Sequence, residues 1–460
     1  VKKTAGGTKV DISAMKNFII ISISITLIWS CNPSENVADL DSFSRSKQNE
    51  WNRILTKSVV QDIFSPVVAA RIYAYPNLAA YEVLALDNPD YLSLIGQING
   101  LQALPNPENK NQIYLPYVAN LVFSGIARQL VINENLLKTF EDQYKSDLLT
   151  AGLSNNLATE SEKYAAVLID HFMDYIRKDN YTETRSLPKY MVNDDPARWS
   201  PTPPPYMDAL EPHWAKIRSF TLDSPDQFRP SDPYMYDTSP NSALMQDARE
   251  IYELSKTITD EQEAIALFWD CNPNQTYNVG HVMLFKQQLS PGGHWISITD
   301  IASDQVNASL MDRAEAFALT SMVLHDAFIS CWEAKYHFNF LRPVHVIRKY
   351  FDPTWEPLLE TPAFPEHTSG HSVISRAAAE VLTRLFGDGF AFEDTSELDF
   401  GYPSRHFSSF IEASNEAAMS RRFGGIHFKP AIEVGINQGK QVADHFLNKV
   451  KTRASQNSGE

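Results

Sequence analysis

Two short pieces of the chain concentrate side chains that can grip an oxyanion and move a proton. The first runs CWEAKYHFNFLRP from Cys331 to Pro343 and PAFPEHTSGHS from Pro362 to Ser372; the second, SRRFGGIHFKP, runs from Ser420 to Pro430. Lys335 and Arg342 lie seven residues apart, which on a helix puts both on nearly the same face. Pro343 pushes the residue before it out of the α region, so Arg342 is expected at the helix's last turn, where a cation complements the dipole. Pro362 and Pro365 break the chain before an apolar run of helical period from Val373 to Phe386. Ser369, Gly370 and His371 are therefore expected at a helix start, where free N–H groups, a hydroxyl and a glycine make an anion site. Arg421 and His427 would face apart on an unbroken helix. Gly424 and Gly425 end that helix near Phe423, Pro430 opens a final one, and His427 falls on the connecting turn. Lys335, Arg342 and Arg421 match a tetrahedral oxyanion of phosphate type. One histidine can then act as nucleophile or ligand while the other moves a proton on the opposite side.

The elements that must position these residues read as helices. A long pattern over residues 311–336 delivers Lys335 and Arg342. Others cover 59–84, 115–131, 134–149, 159–175, 243–255, 260–269 and 280–288, with Pro76 expected to kink or break the first. Arg71, among apolar neighbours, reads as a core-edge ion pair. Between 180 and 240, prolines rule out long helices, and Trp199, Tyr206, Trp214 and Phe228 are expected to pack this connector over the rest. Strand signals are scarce. The expected fold is all-α, two helical bundles of four-helix type with the anion site in the second. The segments are 1–31 (upstream residues and export signal), 32–50 (polar tether), 51–180 (first bundle), 181–240 (Pro/aromatic-rich connector), 241–450 (second bundle) and 451–460 (tail).

In this order and with these gaps, the three blocks resemble the signature shared by vanadium-dependent haloperoxidases and type-2 phosphatidic acid phosphatases. Lys335-x6-Arg342-Pro343 matches the first block; Ser369-Gly370-His371 matches the second, with Thr368 where the pattern usually has proline; Ser420-Arg421-x5-His427 matches the third. The resemblance implies the same two-bundle architecture and a vanadate cofactor whose metal is ligated by His427. Lys335, Arg342, Ser369, the Gly370 N–H and Arg421 would bond its oxygens, and His371 would be the acid–base residue. In the phosphatases the same positions imply that His427 attacks phosphorus.

Trp332 and Phe364 resemble the halide-side aromatics of fungal chloroperoxidases. The flanks DAFISCWEAKY and AMSRRFGGIHF are most similar to bacterial vanadium peroxidases, especially the iodoperoxidases of marine bacteria. The implied activity is oxidation of iodide, and of bromide as a further substrate, by hydrogen peroxide to hypohalous acid. The family pattern often carries an acid four residues after the last histidine, where this chain has Ala431; a backbone carbonyl or Glu433 is expected to orient His427 instead. The alternatives are an acid phosphatase using the same cradle, which the two aromatics weigh against, and a non-catalytic anion-binding envelope lipoprotein, which His371 weighs against.

A chain of 460 residues, 43% apolar, can bury a sizeable core without disulfides. Its formal charge of −16 argues against nucleic acid or an anionic membrane surface as partner, and the sequence leaves the oligomeric state open, a monomer included. Cys31, Cys271 and Cys331 show no paired spacing for zinc or a redox motif, and the last two read as buried thiols. Glu366, His367 and His371 lack the spacing of a zinc helix; His325 and Asp326 read as a structural hydrogen-bonding pair. Lys16, the apolar run 18–29 and Ser30-Cys31 resemble a bacterial lipoprotein signal that leaves Cys31 lipidated, the run being too short for an ordinary membrane span. Met15 reads as the natural start, and export to the cell envelope, with membrane contact only through the lipid, is the expected localisation.

Overall fold

The computed structural model describes residues 37–454, Gly280 excepted; the apolar run and Cys31 lie outside them. The regular structure of the described chain is almost entirely helical. The first half comprises α1 (Val37–Gln61), α2 (Pro66–Ala85), α3 (Leu115–Leu130), α4 (Asn135–Thr150) and α5 (Asn155–Ile176), followed by a single turn, α6 (Tyr181–Thr184). The second half comprises α7 (Ala243–Thr257), α8 (Asp260–Phe268), α9 (Pro291–Gln305), α10 (Leu310–Phe338), α11 (Pro343–Tyr350), α12 (Gly370–Phe386), α13 (Phe410–Phe423) and α14 (Lys429–Lys449). Two small antiparallel hairpins, β1 (Thr276–Val279) with β2 (Val282–Phe285) and β3 (Phe392–Asp394) with β4 (Arg405–Phe407), are the only sheets among the described residues. The expected all-α fold is observed. No described helix is long and apolar enough to cross a membrane.

α10 is the axis of the molecule. Ser309 and Asp312 form a reciprocal capping box at its start, and it is buried on all sides along nearly its whole length, the signature of a central helix. It packs against α2, α9, α12 and α14. α2 also packs on α3, and α3 on α5, so one hydrophobic cluster runs through both halves.

Several expectations are corrected. The polar tether gives way at Val37 to α1, because Leu40, Ser44, Trp51 and Leu55 form a buried stripe hidden among charged residues. At the other end the expected tail is partly tied down: Arg453 pairs with Asp312 at 2.6 Å and Thr452 is buried. Pro76 neither ends nor divides α2. An internal proline costs about 3 kcal/mol, but every residue from Pro66 to Leu84 is buried, and packing outweighs the lost hydrogen bond. The helix expected over 280–288 is not found in its described part, residues 281–288. Val279 pairs with Val282 and Tyr277 with Leu284, β-branched and aromatic residues favouring a pleated ribbon. α9 escaped the periodicity because Gly292 and Gly293 occupy its first turn; Gly293 approaches Tyr73 so closely that a Cβ would lie 2.9 Å from its hydroxyl.

The connector lacks long helices, as expected, and Trp199 and Trp214 are fully buried. Tyr206, expected to pack, is 63% exposed. Asp326 pins the connector to α10 by accepting the N–H groups of Phe220 and Thr221 at 2.7 and 2.8 Å, while His325 Nε2 meets Arg218 O at 3.1 Å. This pair is structural, as read. Arg71 is the ion pair its setting implied, 2.7 Å from Asp179. Cys271 and Cys331 are buried and unbridged.

Candidate active site

Lys335 sits in the last turn of α10, but that helix stops at Phe338, where Asn339 takes the left-handed conformation (φ 49°) and donates its N–H to Lys335 O. Arg342 is therefore not on the helix. It is the extended residue that caps α11, ahead of Pro343. Pro343 excluded the α region as anticipated; asparagine, which tolerates the left-handed turn, ended the helix earlier.

Both cations nonetheless turn into one place, each fully buried. Lys335 Nζ donates to the carbonyls of Pro365 (3.0 Å), Glu366 (3.1 Å) and Thr368. Arg342 donates from Nε and Nη2 to Phe364 O, and from Nη1 to Ile426 O at 3.0 Å, with His427 Nε2 also 3.0 Å from Nη1. Trp332 and Phe364 pack ring to ring, centroids 4.8 Å apart, with Lys335 5.0 Å over the Phe364 ring.

Ser369 caps α12, and Gly370 and His371 open it, as the sequence indicated. The Ser369 N–H donates to Ala431 O at 3.0 Å, fastening this turn to the start of α14. His371 is partly exposed, and Arg421 Nη1, from the last turn of α13, lies 3.1 Å from its Nε2. Arg421 is 2% exposed, its nearest carboxylate is Asp270 at 3.7 Å, and its Nε and Nη2 have no hydrogen-bond partner. Gly425 (φ 76°) makes the turn after α13 that leaves His427 on the link to α14.

The group orienting His427 was missed. Glu366, fully buried, accepts from His427 Nδ1 at 2.8 Å and from Phe428 N at 2.9 Å. Glu433 is solvent-facing and its nearest partner is Lys429 at 3.8 Å, so neither it nor a carbonyl does this work. A usable signal existed, an acid inside the EHTSGH run, but sixty-one positions separate it from His427, and only folding brings them together. With Nδ1–H given to Glu366, Nε2 carries the free lone pair.

Burial dominates the electrostatics. It lowers Lys335 to about 7 and Arg342 to about 10, and lowers Arg421 as well. It also depresses His371 and His427 far below the usual imidazole value, the nearby cations adding to the effect, and raises Glu366 to about 7. Three buried cations face only Glu366 and Asp270, and such charges are costly without a partner. An anionic ligand would supply that partner. The unpaired Arg421 donors, the lone pair of His427 and the N-terminus of α12 fit a vanadate-sized oxyanion with one imidazole ligand.

Residues 315–456 match the family model of the VCPO second helical-bundle domain. The chain is 28% identical over 181 residues to the vanadium chloroperoxidase of Curvularia inaequalis, an alignment covering 28% of this chain and less than a third, 29%, of that protein. The solved structure of the first bacterial vanadium-dependent iodoperoxidase superposes with a TM-score of 0.84 at 41% identity, covering 89% of this chain and 97% of that one. A holo-type bacterial vanadium-dependent chloroperoxidase shares the fold at a TM-score of 0.63 and 16% identity, over 84% of this chain and 93% of that one. A cation cradle that wants an oxyanion and a likeness extending over nearly the whole of a vanadium enzyme agree, and the chain belongs to the vanadium-dependent haloperoxidase family.

Proposed function

We propose that the protein holds vanadate and catalyses I⁻ + H₂O₂ + H⁺ → HOI + H₂O, two electrons passing from iodide to the peroxide. The observation that carries this reading is the gathering of three buried cations around two imidazoles: Arg342 Nη1 meets His427 Nε2, Arg421 Nη1 meets His371 Nε2, the charge of Lys335 is felt at His427, and Glu366 holds His427 Nδ1. His427 would hold the cofactor through Nε2, with Lys335, Arg342, Arg421, Ser369 and the Gly370 N–H on its oxygens. When bound, vanadate supplies a Lewis acid that stays at one oxidation state. Arg342 Nη1 must give up its contact with His427 Nε2 for that nitrogen to act as a ligand, and its freed N–H then adds to the donors. The three cations draw electron density from oxygen in the site. His371, kept neutral by burial and by Arg421, can accept a proton from hydrogen peroxide at a ring nitrogen and return one to the oxygen that leaves as water. Trp332 and Phe364 wall the site on the halide side. Preference for iodide rests on the likeness to the iodoperoxidase, and bromide is the slower substrate.

The test is triiodide formation with hydrogen peroxide by metal-stripped protein and by protein reloaded with orthovanadate, repeated with bromide and with competing phosphate. Vanadate-dependent iodide oxidation with little bromide turnover is the expected result. Absence of peroxidase activity, with vanadate-inhibited hydrolysis of a phosphate ester, would assign the cradle to an acid phosphatase instead. The reading also includes export and a lipid on Cys31, which membrane-phase partitioning surviving Cys31→Ser would refute.

A further inference from the structure

We propose that Cys271, His294 and Glu397 form a structural site for one divalent cation of zinc type, behind the oxyanion cradle. Cys271 lies just after α8, His294 in the first turns of α9, and Glu397 in the loop between β3 and β4. Three separate segments thus point donors at one spot. Cys271 Sγ is 3.2 Å from His294 Nδ1, His294 Nδ1 is 3.3 Å from Glu397 Oε1, and Cys271 Sγ is 3.8 Å from Glu397 Oε1. Ligand atoms around a tetrahedral zinc, with bonds of about 2.0–2.3 Å, stand about 3.3–3.7 Å apart. The triangle already has nearly those edges.

The surroundings complete such a site. His294 Nε2 meets Asp394 Oδ2 at 2.8 Å, and Asp394 is itself fixed by Ser396 N at 3.0 Å. A carboxylate on the far nitrogen of a ligating imidazole is the usual device for setting its tautomer and aim. Trp269 stacks on the imidazole at 4.4 Å and 15°, holding the ring plane. All four polar residues are buried.

Without a cation these groups hold one another by hydrogen bonds: the Cys271 thiol can donate to Glu397 Oε1, and a single hydrogen on His294 Nδ1 is shared between the Cys271 sulfur and the Glu397 carboxylate. A divalent ion satisfies all three lone pairs at once, the Cys271 thiol releasing its proton to solvent on binding. Thiolate, imidazole and carboxylate together suit zinc, with a fourth position for a non-protein ligand. The ion would anchor the segment Trp269–Cys271, whose middle residue, Asp270, stands 3.7 Å from Arg421. The metal would therefore brace the cradle without entering its chemistry.

The inference goes beyond the haloperoxidase reading and does not depend on it, since its test uses neither vanadate nor halide. Full-length protein purified without chelator after growth with added zinc is expected to hold about one zinc per chain. Cys271→Ser and His294→Gln should abolish it, and Cys331→Ser should retain it. Cobalt in its place should give a thiolate-to-metal charge-transfer absorption that Cys271→Ser lacks. Should those variants fail to fold, X-ray absorption at the zinc edge of the wild-type protein reads the same site through one sulfur at about 2.3 Å. Wild-type protein carrying no stoichiometric divalent metal would overturn the proposal, and so would zinc with only nitrogen and oxygen neighbours.

Discussion

Arg71 on α2 and Arg421 on α13 are buried to nearly the same degree, 5% and 2% exposed, yet the fold treats them in opposite ways. Arg71 places Nε 2.7 Å from Asp179, which also takes the Tyr75 hydroxyl at 2.9 Å, and its guanidinium lies 4.3 Å from the Tyr181 ring. Arg421 has its nearest carboxylate at 3.7 Å and two donors without partners. One half of the molecule closes its charge with its own acid. The other leaves charge uncompensated, and a buried cation left open is a place held for an anion. The difference separates a residue that stabilises the fold from one that stabilises a ligand.

Substitutions can break or sharpen this contrast. Arg71→Ala is expected to destabilise the protein by about 3–5 kcal/mol, the range for breaking a buried pair and stranding its partner, as read from urea unfolding, while iodide turnover by the folded protein persists. Arg421→Ala should do the reverse. Turnover is expected to fall about 10²–10³-fold, as for loss of an oxyanion donor. Orthovanadate at about 100 times its dissociation constant, which should stabilise the wild-type protein by about 2.7 kcal/mol, should not protect this variant in thermal unfolding. If the two arginines exchanged these signatures, the contrast would be wrong. Glu366→Gln leaves the cations in place but weakens the hold on His427, so vanadate affinity by titration is expected to drop about 10–100-fold. Glu433→Gln should leave that affinity unchanged, because the side chain faces solvent beside Lys429.

Much of the cradle was legible because its parts are local. Ser369-Gly370-His371 needs only the prolines before it and the apolar period after it; Gly424-Gly425 and Pro430 define the turn that carries His427 within a single stretch. Arg342 was placed on the wrong element, since the left-handed turn at Asn339 competes with an unbroken helical pattern and only packing decides between them. Glu366 and the triangle of Cys271, His294 and Glu397 were not legible as partners. Their spacings follow no helix or strand period, and tertiary packing alone joins them. The buried half of α1 was obscured by its charged exposed face, and β1–β2 by an apolar run that helix and strand share.

α12 carries the turn with Ser369 and His371, while α14 follows the link that carries His427, and the two helices lie against each other through Gly435 and Gly439. A methyl at Gly439 would stand 2.1 Å from Val373 O, and one at Gly435 would stand 3.2 Å from Ser369 O. Hydrogen here acts as a spacer, setting the gap between two imidazoles, one on α12 and the other on the link that leads into α14. A saturation screen scored by colour development alone would rank Gly439 with the histidines, although it bears no group that could touch a substrate.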